Sequence, residues 1–316
     1  LTSSLSSSFS AALDAAQAAA GAQQHPPGVL YVVATPIGNL ADITLRALHL
    51  LAVADVVACE DTRHTQSMLR AYGIERPTSE LVAVHEHNEA EAAQAVMERL
   101  RQGQRVVYVS DAGTPAISDP GARLVHAARE AGLRVMPLPG ASSITTALSA
   151  AGLIDDGRFV FEGFLPTRSQ ERASAVQSLV GQPRAVVLLE SPHRIAALAG
   201  VLAALGGRRV TVARELTKQY EQVHTLSCEG LAGWLAEDAH RQRGEFVLVI
   251  HPASPSSHED TRGREAVQLL LAEGLPVKSA ARLAATLTGA PRNALYELAL
   301  ALKREAATDA DADEAA

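Results

Sequence analysis

The sequence predicts an α/β protein: two mainly parallel α/β domains with a cleft between them, followed by a three-helix unit of helix-turn-helix outline. Three observations carry this. Short β-branched runs alternate with helical periodicity five times before residue 140, the pattern of a sheet covered by helices on its faces. A second series of the same kind begins near residue 159. After residue 259 the strand signal disappears. At 316 residues the chain is long enough for two domains or more.

LYVVAT (30–35) reads as the first strand, Pro36–Asn39 as a loop, and Asp42 or Thr44 as the start of a helix carrying Leu45, Leu48 and Leu51. ADVVACED (54–61) is a second strand ending in two carboxylates, with a helix over 63–71. LVAVHEHNE (81–89) is a third, followed by a helix through Met97 and Leu100. RVVYVSD (105–111) and RVMPLPG (134–140) are the fourth and fifth, with a helix over 122–131 between them. The domain so defined covers 29–138. A connecting helix over 141–153 opens the second domain, 139–253. Its strands are 159–166, 185–194 and 208–216, with a polar helix over 169–179, and two hairpin-like strands at 222–227 and 244–252. ASPSSH (253–258) reads as a linker. Helices are predicted over 265–273, 277–287 and 292–303, broken at Gly274 and Thr288-Gly289.

The ends are compositionally distinct. Residues 1–28 are Ser/Ala-rich with no basic start or apolar middle, and are expected to form a poorly ordered extension, with a fraying helix over 11–20. Residues 306–316 form an acidic tail. Net charge is −7, of which Asp309, Asp311, Asp313 and Glu314 supply −4. Composition therefore gives no electrostatic argument for nucleic acid. The unit 258–305 holds seven basic and six acidic residues, as compatible with a helical cap or dimer arm as with RNA contact. Aromatics are 3%, so the cores must be aliphatic. No apolar run reaches membrane-span length. Cys59 and Cys228 have no CxxC spacing, which fits a reducing cytoplasm.

Strands ending in small and polar residues at the carboxyl edge of an open sheet mark a ligand crevice. The densest such loop is SDAGTPAISDPG (110–121), twelve residues with two each of Gly, Pro, Asp and Ser. Thr35–Leu40 lacks a Walker lysine, and no strand is followed by GxGxxG. There is no Gly-x-Ser-x-Gly elbow, and His85-Glu86-His87 lacks the i, i+4 spacing of a zinc protease. No metal site is expected. What remains is carboxylates (Asp111, Glu190, Glu215) beside bases (Arg63, Arg194, Arg214, Lys218), a setting that suits a sulfonium cofactor. Any of these can equally be a structural ion pair.

The blocks YVVATPIGNLADITLRAL (31–48), EDTRHT (60–65), HEHNE (85–89), SDAGTPAISDPG (110–121) and PGASSITTALSAAGL (139–153) continue with FEGFLP (161–166), ESPHR (190–194), ARELTKQYE (213–221) and GEFVLVI (244–250). In this order, over 29–303, they resemble the tetrapyrrole-methylase superfamily. Within it, the similarity is greatest to bacterial ribosomal RNA cytidine 2′-O-methyltransferases. TPIGNL stands where tetrapyrrole enzymes carry GxGxGD, and PGAS where many relatives have PGPS.

The resemblance implies a homodimer that uses S-adenosylmethionine to methylate a cytidine 2′-oxygen of 16S rRNA at the decoding centre of the small ribosomal subunit. It implies cofactor contacts at Thr35, Pro36, Gly38, Asn39, Ser110, Asp111, Ala112, Gly113, Thr114, Pro139, Gly140, Ser142 and Ser143. Glu215, Glu190 and Lys218 are the candidates for the chemistry. Arg63, His85, Asn88, Arg194 and Arg214 are candidates for RNA, with 259–305 as an RNA-docking segment. Two alternatives remain: a tetrapyrrole C-methyltransferase, and a non-catalytic RNA-binding assembly factor.

Overall fold

Five short apolar runs build the first sheet: β1 (Val29–Val33), β2 (Val56–Cys59), β3 (Leu81–Ala83), β4 (Val106–Val109) and β5 (Arg134–Leu138). Their order is β3-β2-β4-β1-β5, and every recorded pairing is parallel. The computed structural model describes residues 9–85, 88–117, 119, 121–154, 157–253 and 255–313, without the side chains of 10, 255–261 and 304–313.

Alternation along β1 explains why both faces must be covered. Val29, Tyr31 and Val33 join a core with Leu48, Leu50 and Leu51 of α2 (Leu45–Val53) and Leu69 of α3 (Thr62–Ala71). Leu30 points the other way, into a core with Leu100 of α4 (Glu89–Arg101) and with Leu124 and Ala128 of α5 (Gly121–Glu130). Each such buried Leu or Val contributes roughly 1.5–3 kcal/mol over an exposed one. Thr44 and Asp61 cap α2 and α3, accepting hydrogen bonds from Ala47 N and from Arg63 N and His64 N.

Residues 9–28 are not the loose extension that composition suggests. Helix α1 (Ser10–Ala20) packs on α2, with Ala16 and Ala20 buried. Phe9 meets Tyr72 edge-on, ring centroids 5.2 Å apart. Alanine is a strong helix former, and a small-residue face lets two helices approach closely. Residues 1–8 lie outside the described residues.

The chain divides into two compact units, and their boundary differs from the expected 138/139. The first runs to Gly152, so α6 (Ser143–Ala150) belongs to it, and it also takes in Ala213–Val223.

In the second unit the sheet is β6 (Phe159–Gly163), β7 (Ala185–Glu190), β10 (Phe246–Ile250), β8 (Arg209–Arg214) and β9 (Gln222–Ser227), in the order β6-β7-β10-β8-β9. It is mixed rather than mainly parallel: β6 runs parallel to β7, whereas β10 runs antiparallel to it, Leu248 opposite Leu188. Strand β8 lies between β9 and β10, so these two are not a hairpin. One face packs on α8 (Ile195–Leu202) and α9 (Leu231–Ala236) through Ile195, Leu198, Leu202, Leu231 and Trp234. Helix α7 (Ser169–Ser178) adds Val176.

Three helices follow: α10 (Pro255–Ala272), α11 (Val277–Thr288) and α12 (Arg292–Asp313). The expected linker 253–258 is cut short because α10 begins at Pro255, a residue suited to the first helical turn. The acidic tail continues α12 as far as Asp313. Val267, Ala281, Ala284, Leu295 and Ala299 form a core of their own. Among the described residues no helix is long and apolar enough to cross a membrane.

Candidate active site

Neighbouring parallel strands β4, β1 and β5 end at one edge of the first sheet, and their outgoing loops are stitched together there. Thr35 N donates to Gly113 O and Gly113 N to Thr35 O, both at 3.0 Å. The buried Thr35 hydroxyl donates to Ser110 O at 3.1 Å, and Thr114 Oγ1 to Ala141 O at 3.0 Å. The Ser110 hydroxyl bonds within its own loop, to Ala112 O and Gly113 O. Asn39 caps a short turn by accepting from Ala41 N.

These polar side chains are therefore spent on the loops themselves, Thr35 and Thr114 tying one loop to the next and Ser110 and Asn39 bracing their own. What they leave facing outward is backbone and small side chains: Gly38, Asn39, Ala112, Pro139 and Gly140 are exposed. Gly113 needs its glycine, with φ +82°. At Gly140 a Cβ would come 2.7 Å from that of Ala34. Pro36 is buried behind this rim, and Ser142 and Ser143 start α6.

Carboxylates continue the edge. Asp111 N donates to Glu60 Oε1, and Asp61 N donates back to Asp111 Oδ1, each at 3.2 Å. Burial, then the nearby Asp119 and Asp111 charges, hold the Glu60 carboxyl above its usual range, against the opposing bond from Asp111 N. Asp119 ties down the rest of the long loop, accepting from Tyr108 Oη, Ala116 N and Gly121 N. The terminal backbone bonds of Arg63 and His64 hold Asp61 low. Burial pushes the Cys59 thiol up to about 11, which leaves it a poor nucleophile.

The segment after β8 belongs to this first unit and brings two of the expected residues together. Lys218 Nζ lies 2.8 Å from Glu215 Oε1. The Lys218 stem passes over Gly38: a Cβ built there would lie 2.5 Å from Lys218 Cγ. Glu215 (φ +53°) and the β-branched Thr217 (φ +67°) are both left-handed, a strain of about 1–3 kcal/mol each that persists only where surroundings enforce it. The enforcement is visible: Lys218 N donates to Glu215 O, Thr217 N to Glu221 Oε2, and Arg214 Nη2 to Tyr220 O.

Other expected site residues fall elsewhere. Glu190, in the second unit, has a fully buried side chain whose Oε1 accepts from Ser191 N and lies 3.2 Å from Arg194 Nε. Arg194 Nη2 also donates to Leu165 O. A carboxylate this enclosed beside a guanidinium reads as an ion pair holding β7 to the loop after β6. Arg214 is buried and grips backbone, unlike an arginine reaching for phosphate. Asn88 gives both amide atoms to the turn before α4, accepting from His85 N and donating to Ala83 O. Arg63, by contrast, has a side chain 92% exposed. His87 and Glu86 of that block lie outside the described residues. Among the described residues no group of three or more His, Cys, Asp or Glu could hold a metal ion.

Comparison with known proteins places this geometry. The profile of the Tetrapyrrole (Corrin/Porphyrin) Methylases matches residues 29–232. The chain belongs to the tetrapyrrole methylase family. The RsmI C-terminal HTH domain profile matches 257–303, the helices α10–α12. Ribosomal RNA small subunit methyltransferase I of Haemophilus influenzae is 46% identical over 278 residues, covering 87% of this chain and 97% of that protein. The protein of the same name in Pseudomonas aeruginosa is 47% identical, covering 86% and 97%. Among solved structures, diphthine synthase aligns with TM-score 0.55 and 18% identity over 71% of this chain and 90% of that one. Cobalt precorrin-4 methyltransferase, a cobalamin biosynthetic enzyme, aligns at 0.52 and 20% over 70% and 94%. Both share the methylase fold. Every loop of the stitched edge, and the Glu215–Lys218 pair, falls inside the matched family segment.

Proposed function

We infer that this chain is an S-adenosylmethionine-dependent ribosomal RNA methyltransferase that methylates a cytidine 2′-oxygen of the small-subunit RNA. It would act as a cytoplasmic homodimer. The observation that supports it most is the Glu215–Lys218 pair laid over Gly38, a charged pair set beside a backbone-lined edge. The edge fits the cofactor: small exposed residues leave backbone free for hydrogen bonding, Gly38, Gly113 and Gly140 carry no side chain of their own, and the side chain laid over Gly38 is that of Lys218, a member of the charged pair. Thr35–Asn39, Ser110–Thr114 and Pro139–Ser143 would hold it. When bound, it supplies an electrophilic methyl group on a sulfonium.

The rest is work for this chain's own groups. The ribose hydroxyl is a weak acid and loses its proton late in transfer, so a positioned base contributes about 10²–10⁴-fold. Glu215 is the candidate for that proton. The Lys218 ammonium stabilises negative charge growing on the ribose oxygen. Arg63, exposed at the start of α3 and held by a solvent-facing pair with Asp61 at 3.4 Å, would reach backbone phosphate. Glu190 is a structural carboxylate in this reading. The helices α10–α12 would dock the enzyme on the small subunit.

The test is transfer of radiolabelled methyl into small subunits from cells lacking the enzyme. Glu215→Gln should lower turnover 10²-fold or more with calorimetric cofactor affinity intact; wild-type turnover removes Glu215 from the role. Removal of 257–303 should weaken transfer while cofactor still binds. Label entering a tetrapyrrole instead of RNA overturns the substrate.

A further inference from the structure

A protein that selects one nucleotide of an RNA by sequence targets unpaired, splayed-out bases, and it holds such bases on aromatic faces. This chain has few aromatics to offer. Among the described residues, four aromatic side chains are exposed: Phe159 at 42%, Phe164 at 54%, Tyr220 at 70% and Tyr296 at 38%. Tyr220 is the most exposed, and it stands two residues from Lys218.

An exposed tyrosine on a loose loop would mean little. Here the backbone carrying it is fixed from several sides. Arg214, buried at the end of β8, donates through Nη2 to the Tyr220 carbonyl at 3.3 Å. Glu221 N donates to Lys218 O at 3.1 Å, and the Glu221 carboxylate accepts from Thr217 N at 2.6 Å. The left-handed Glu215 and Thr217 turn the chain within the same seven residues. The loop thus holds Lys218 down over Gly38 and the Tyr220 ring out in solvent. A strained, cross-braced turn that exposes a large ring loses apolar burial for no gain in stability. Its gain is in presenting that ring at a set place beside the charged pair.

We propose that Tyr220 is a stacking platform for an unpaired nucleobase of the acceptor strand, positioning its ribose toward the Glu215–Lys218 pair. This rests on the RNA-methylating reading above. The contact needs the ring face and no hydroxyl, so phenylalanine and tryptophan should serve as well as tyrosine. Loss of one base–aromatic stack should lower kcat/KM about 5- to 150-fold.

The experiment compares wild type, Y220A, Y220F and Y220W. Methyl transfer is followed into small subunits from cells lacking the enzyme, with S-adenosylmethionine affinity measured by calorimetry and oligomeric state by light scattering. Y220A should lose 5- to 150-fold in kcat/KM while Y220F and Y220W stay near wild type, cofactor affinity and oligomeric state being unchanged. Three results overturn the proposal: Y220A at wild-type rate, Y220F as impaired as Y220A, or Y220A altering cofactor affinity or oligomeric state to match its loss. The last would make the ring a cofactor or subunit contact. A separate reading uses Y220W emission against the background of the largely buried Trp234, titrated with an unpaired oligoribonucleotide. Quenching supports stacking and its absence overturns it. If wild type transfers no label while Y220W is quenched, the methylation reading has failed and the RNA contact stands.

Discussion

Gly38 and Lys218 are complementary at van der Waals range: a methyl group on Gly38 would come within 2.5 Å of Lys218 Cγ and 2.8 Å of Cε. The clash is with the root of the side chain as well as its end, so Lys218 cannot swing clear by moving its ammonium alone. Gly38→Ala should displace Lys218 and lower turnover on the order of 10²-fold, the usual cost of about 1 Å of misplacement in a catalytic group. Lys218→Ala should cost a similar factor. The double variant should be no worse than Lys218→Ala alone, because both changes remove one arrangement. Steady-state kinetics of the four proteins checks this, and additive losses would separate the two residues.

The bond between Asp111 N and Glu60 makes a prediction about pH. Glu60 is held above its ordinary range chiefly by burial, so the folded state holds its proton more tightly than the unfolded chain. Below the unfolded value of 4.5 the carboxyl is neutral in both states and costs nothing. As pH rises through that value and then the raised folded one, the ionised, partly buried group destabilises the fold. Glu60→Gln keeps an acceptor for Asp111 N and removes the charge. Its Tm should exceed that of wild type at pH 7, and the gap should close as pH falls below 4.5. A wild-type Tm that stays the higher at pH 7 would mean that the charge itself stabilises the edge.

Much of this architecture is legible in the sequence because burial on both faces leaves unbroken apolar runs such as VVYV at β4, and because Gly or Pro follows closely on most strands, as at Pro36, Gly113 and Pro139. The same reasoning fails where composition misleads. An Ala-rich helix reads as a loose extension until Phe9 and Ala16 are seen against the first core. The mixed second sheet is hidden because antiparallel and parallel core strands carry the same apolar pattern; only register shows β10 running against β7. At the site, residue types at strand ends single out the loops that the structure stitches together and name Glu215 and Lys218 as candidates, but that these two pair is seen only in the structure. They cannot tell a partly exposed carboxylate paired with a lysine from one fully enclosed with an arginine, so Glu190 looks like Glu215 in sequence. The positive φ angles of Glu215 and Thr217 carry no sequence signal at all, since neither position is glycine or asparagine.

The packing of α1 predicts that the N-terminal segment is part of the fold. Ala16 is 1% exposed and sits in the core shared by α2 and α3. Ala16→Asp places a charge there without a partner, at a cost of about 2 kcal/mol or more. The denaturation midpoint should fall accordingly. An unchanged midpoint would mean that α1 contributes nothing to stability.

Gly263 offers the same kind of test for the terminal helices. In an exposed helix interior, replacing glycine by alanine adds roughly 1 kcal/mol of helix stability. Gly263 is buried, and a Cβ there would meet Leu295 Cδ2 at 2.6 Å and Ala290 Cβ at 3.3 Å. Leu295 is itself 2% exposed, so it has little room to yield, and alanine's propensity gain is offset by strain of about 1–3 kcal/mol. Gly263→Val adds branching and should part α10 from α12 altogether. Hydrogen exchange should then quicken across α11 and the first turns of α12 while the amides of β1 and β4 keep their protection. Methyl transfer into small subunits should fall with it and cofactor affinity should not, with Gly263→Ala in between. Unaltered exchange in Gly263→Val would show that the helices are not held at the separation Gly263 sets.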